Sequence, residues 1–69
     1  MDAQKEKEIT ESLSKLPIGS HLSNINGEDR FVIGFDGNDF YYKQNRDSEN
    51  VTRDKKEKFA KWADGAFVW

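Results

Sequence analysis

Cysteine is absent from this chain, and histidine, proline and methionine occur once each. Without cysteine there are no disulfides, no thiolate metal sites and no thiol nucleophile. With His21 as the sole histidine, neither a histidine metal cluster nor a Ser-His-Asp arrangement with a spare base can be assembled. No apolar run approaches the ~18 residues of a membrane span. The opening stretch MDAQKEKEIT is charged throughout and lacks a signal-peptide core, so the expected setting is cytoplasmic. No Gly-rich phosphate loop, internal repeat or low-complexity segment is present. These absences point away from an enzyme, and no cofactor or metal is expected.

What the chain does hold is nine aromatic residues in 69, clustered in patterned blocks. At this length one domain, residues 1–69, is expected. So short a chain buries only about 60% of the surface that its unfolded form exposes. Aromatic side chains, at roughly 150–250 Å² each, are what make such a core feasible. Charge is unevenly spread. Residues 17–52 carry three basic and six acidic side chains, whereas residues 53–69 carry five basic and three acidic ones.

The pattern along the chain predicts an α+β fold, a three-stranded antiparallel meander with an N- and a C-terminal helix on one face. Residues 2–15 read as a helix capped by Asp2, with Ile9, Leu13 and Leu16 at helical spacing and Pro17 as the stop. Asn26-Gly27 and Asp36-Gly37-Asn38 read as hairpin turns. With Asn26-Gly27 as a two-residue loop, Leu22 faces Phe31, and Leu22, Phe31, Ile33, Phe35, Phe40 and Tyr42 share the core face. His21, Val32, Gly34 and Tyr41 then point outward, with Arg30, Asp39 and Lys43 at the edges. A second helix is expected over Arg53 to Asp64, with Thr52 as cap and Gly65 as stop. The tail AFVW is apolar and is expected to fold back as a short strand or an extended cover, giving αβββα with a possible final strand.

Two kinds of surface could do work. The outward sheet face offers Tyr41 as an anchor, with His21 on the same face beside Val32. The turn carboxylates Asp36, Asp39, Glu28 and Asp29 would supply electrostatic complementarity to a protein partner. The alternative is nucleic acid on the last helix through Lys55, Lys56, Lys58 and Lys61. An αβββα order is that of double-stranded-RNA-binding domains, and Lys55 and Lys56 resemble the lysine pair with which that family grips phosphates. The segment DGND, residues 36–39, lacks the spaced ligands of a calcium loop and reads as a turn. A monomer or small homo-oligomer is expected.

The run from RFVIGFDGNDFYY through DSEN to KFAKWADGAF, residues 30–67, is similar to small αβββα phage proteins, including anti-CRISPR inhibitors. The resemblance covers about half the chain. It implies a phage or mobile-element accessory factor that inhibits or modulates a host protein, with the acidic block at Glu28, Asp29, Asp36, Asp39, Asp47 and Glu49 occupying a nucleic-acid site. The five basic residues of the final helical stretch depart from that family's acidic character.

Overall fold

The computed structural model describes residues 2–69. Helix α1, Ala3–Ser14, starts where Asp2 accepts a 2.8 Å hydrogen bond from the Lys5 backbone N–H, so an otherwise orphaned donor is satisfied by the predicted cap. It stops short of Pro17, and Leu13 is its one buried residue, with Ile9 and Leu16 packed at the margin of the core. Gly19, at φ 88°, makes the left-handed bend into the sheet. The strands are β1 (Ser20–Ser23), β2 (Asp29–Phe35), β3 (Asp39–Lys43), β4 (Thr52–Lys55) and β5 (Phe67–Val68), with helix α2 (Lys56–Ala63) between the last two. They form one antiparallel sheet in the order β4-β3-β2-β1-β5.

Both helices cover the same face. Leu13 of α1 and Phe59 and Ala63 of α2 meet Leu22, Val32, Phe40 and Tyr42 in one buried cluster. Phe40 and Phe59 are fully buried, their ring centroids 4.7 Å apart. Arg30 enters from β2 with its guanidinium 4.2 Å from the ring centres of both Tyr42 and Trp62, and it pairs at 3.3 Å with Asp54 of β4. The charge is thus held between aromatic faces and a carboxylate rather than buried alone. Among the described residues no helix is long and apolar enough to cross a membrane.

The α+β class and the meander agree with the sequence pattern, but the register does not. The β1–β2 connection is a three-residue loop, Ile25-Asn26-Gly27. Asn24 closes it through its backbone N–H to the Glu28 carbonyl and through its side-chain oxygen, which accepts from the Asn26 and Glu28 N–H groups. The extra loop residue slips the pairing by one, so Leu22 lies opposite Arg30 and His21 opposite Phe31. A one-residue slip inverts every side chain. Val32 is therefore buried, at 3% exposure, while Phe31 and Ile33 lie on the uncovered side. A β-bulge then restores the pattern. Val32 pairs with Tyr42 but Gly34 pairs with Tyr41, leaving Ile33 as the extra residue, and Phe35 returns to the core side opposite Phe40.

The second correction concerns Thr52 to Lys55. These residues were expected to cap and begin the last helix, but they form β4, paired with β3 from Asp39↔Lys55 to Tyr42↔Thr52. Helix α2 begins only at Lys56, with Lys55 at its N-cap and no side-chain cap bond. Sheet hydrogen bonds and the inward Arg30–Asp54 pair outweigh a helical preference that is worth only tenths of a kcal/mol per residue. Of the two forms expected for the tail, a short strand or an extended cover, it takes the short strand. Val68 pairs with Leu22 and Phe67 with Ser23.

Candidate interaction surface

The face that the helices leave uncovered follows from the alternation of each strand. His21 and Ser23 of β1, Asp29 and Phe31 of β2, Tyr41 and Lys43 of β3 and Arg53 of β4 stand on it. Phe67 and Trp69 extend it along the β5 edge.

Its most ordered feature is a stack running across the strands. The His21 imidazole lies 4.4 Å from the Phe31 ring at 22° and 5.3 Å from the Trp69 indole at 19°. Coplanar rings lying side by side cannot approach that closely, so these rings stand face to face. Their separation matches the ~4.8 Å between neighbouring strands. The Arg46 guanidinium closes the far end, 5.3 Å from the Phe31 ring centre. Ring edges therefore point to solvent, and the outer indole face of Trp69 remains open, this residue being 77% exposed.

Polar contacts hold the stack in place. Asp29 accepts from the Ser23 hydroxyl and lies 2.9 Å from His21 Nε2. The Trp69 indole N–H donates to Ser23 Oγ at 2.7 Å, and the Trp69 backbone N–H donates to the His21 carbonyl at 2.9 Å. The Ser23 hydroxyl, followed by His21, holds the Asp29 carboxyl below the usual carboxylate range. Ser23, His21 and Asp29 do not form a hydrolytic triad. Hydroxyl and imidazole both converge on the carboxylate, so no base faces the serine.

At the other end of the face, Asp36 accepts from the Asn38 and Asp39 backbone N–H groups at 2.8 Å each and from the Tyr41 hydroxyl at 2.7 Å. Three donors to the ionised form, with the Asp39 backbone bond the largest contribution, lower its pKa to about 2. The hydrogen bond between Tyr41 and Asp36 in turn raises the pKa of Tyr41. Asp39 lies 3.5 Å from Arg53 Nε.

The structure thus divides the residues singled out from sequence. His21 and Asp29 belong to the stack and Tyr41, Asp36 and Asp39 to the distal turn. Glu28 accepts from Asn24 at the β1–β2 loop. Val32 and Arg30, expected on or beside the outward face, sit on the core side. The lysines scatter as well. Lys55 ends β4 opposite Asp39, and Lys56 lies beside Glu6 and Glu11 of α1. Lys58 and Lys61 are exposed on α2, Lys61 beside Trp62 and Asp64. Sequence reasoning missed Phe31, Ile33 and Trp69 as residues of this face, and Arg46, read only as part of a polar loop, as a neighbour of Phe31. For Trp69 the available signal was strand geometry, which puts Phe67 and Trp69 on the face opposite Val68. Among the described residues no group of His, Cys, Asp or Glu is placed to hold a metal ion. Compared with family models, with curated proteins and with solved structures, the chain matches none.

Proposed function

We propose that this chain is a small, non-enzymatic protein-binding domain that engages its partner through the uncovered face of the sheet. The carrying observation is the Trp69–His21–Phe31–Arg46 stack on the side opposite both helices. Aromatic and arginine side chains are the groups that dominate protein interface energies. His21, Phe31 and Trp69 are held by ring stacking across the strands, so less of their side-chain entropy remains to be lost on binding. Exposed aliphatics surround them, with Ile18 at 82% and Val51 at 51% exposure. Single-stranded nucleic acid is favoured less, because base stacking needs several ring faces and this stack leaves open only the outer face of Trp69. The likeness to anti-CRISPR inhibitors adds a purpose, occupation of a site on a host protein.

Affinity capture with mass-spectrometric identification tests this reading. Ile18→Asp and Trp69→Ala, both at exposed side chains, are expected to lose the captured partner while circular dichroism stays unchanged. Retention of the same partner by both variants would overturn the assignment of this face.

A further inference from the structure

Beside the stack lies an open depression of about 480 Å³ floored by Ile18, Phe31, Ile33 and Val51, with Lys43 and Arg46 at its rim. The charges around it are not balanced. Every carboxylate that the sheet presents on this face is engaged: Asp29 with Ser23 and His21, Asp36 with Tyr41 and the turn N–H groups, Asp39 with Arg53. Neither Lys43 nor Arg46 has a carboxylate within ion-pairing distance among the described residues. Asp47 and Glu49 share a loop with Arg46 but do not line the depression. A chain of net charge −2 thus sets two uncompensated cations over an apolar floor.

We infer that this depression takes an acidic, apolar segment of a partner protein, apolar side chains on the floor and carboxylates toward Lys43 and Arg46. The inference rests on the protein-binding reading and specifies its partner. Charge complementarity of this kind chiefly sets association rate and specificity. A nucleic acid would draw its affinity from many phosphate contacts, and two cations do not provide them.

The test is an amide NMR titration of the intact chain with a ten-residue peptide alternating Asp with Leu and Phe. The same peptide with Lys for Asp and a thymidine oligonucleotide serve as comparison ligands. The acidic peptide is expected to shift the amides of Phe31, Ile33, Lys43 and Val51, and to bind at least tenfold more weakly in 0.5 M salt. The double variant Lys43→Glu, Arg46→Glu, its fold checked by circular dichroism, is expected to lose that binding tenfold or more. Equal binding of the lysine peptide, indifference to the double variant, or oligonucleotide shifts at the same amides would each overturn the inference. So would concentration-dependent shifts of the protein alone at these amides, which would mark a second copy as occupant. A partner captured by the wild type, lost by Ile18→Asp and retained by the charge-reversed variant would leave the protein-binding reading standing while this inference falls.

Discussion

Asp36 and Arg30 show how single side chains hold this small sheet together. Asp36 closes the β2–β3 turn with two backbone N–H groups and ties down the Tyr41 ring. Its folded pKa of about 2 lies below the ordinary 3.8, so the stabilisation it contributes is complete above that value. It is lost as pH falls from about 4 toward 2, and the lowered Asp29 acts in the same direction. Asp36→Asn keeps a side-chain acceptor but removes the charge. Its melting temperature should lie below that of the wild type at pH 5, and the gap should close as pH approaches 2. A gap that stays constant across pH 2 to 5 would show that the carboxylate charge is not what stabilises the turn. Arg30 acts at longer range. It lies between Tyr42 and Trp62 and reaches Asp54, joining β2 to β4 across the intervening strand.

The elements show where local pattern stops being sufficient. The Asp2 cap, the Pro17 stop and the positions of the glycine turns were legible, because each depends on a few adjacent residues, whereas the tail was legible only as an apolar segment that folds back, its pairing with β1 being long-range. The strand register was not, since Ile25 joins the first loop and Ile33 is extruded as a bulge. The two irregularities offset one another, so Leu22, Phe35, Phe40 and Tyr42 were placed correctly while Phe31, Val32 and Ile33 were inverted. This account predicts that deleting Ile33 regularises β2. Val32↔Tyr42 and Phe35↔Phe40 should persist in cross-strand nuclear Overhauser effects. The cost should be no more than about 1–2 kcal/mol, the transfer value of a partly buried branched side chain. Deleting Tyr41 should instead unfold the domain, because Phe40 and Tyr42 would become adjacent and face opposite sides. Urea titration of the two deletions separates the cases, and a fold lost equally in both would refute the bulge's role.

For the molecule as a whole, the buried core lies on one side of the sheet and the proposed binding surface on the other. Phe59 has no exposure and packs on Phe40, Tyr42 and Trp62. Phe59→Ala should cost about 3–5 kcal/mol. At roughly 0.05–0.15 kcal/mol per residue, a domain of this length has about 3.5–10 kcal/mol in total, so this one truncation removes a third or more of it. Thermal melting should find this variant largely unfolded at 37 °C, and a cooperative transition near that of the wild type would contradict the central place given to this ring. The uncovered face is held by its turn and stack contacts, while Ile18, Val51 and Trp69 on it stay more than half exposed.

By itself the sequence determined the inventory of the domain: two helices, hairpins at the glycine turns, an apolar tail that folds back, and an aromatic core too small to do without tight packing. These follow from capping, turn chemistry and alternation, which act over a few residues. Only the tertiary structure decided that Thr52–Lys55 joins the sheet, that Val32 rather than Phe31 enters the core, and that Trp69 stacks on His21. Each of these depends on pairing between distant strands, where hydrogen bonds and packing across the sheet outweigh local preference.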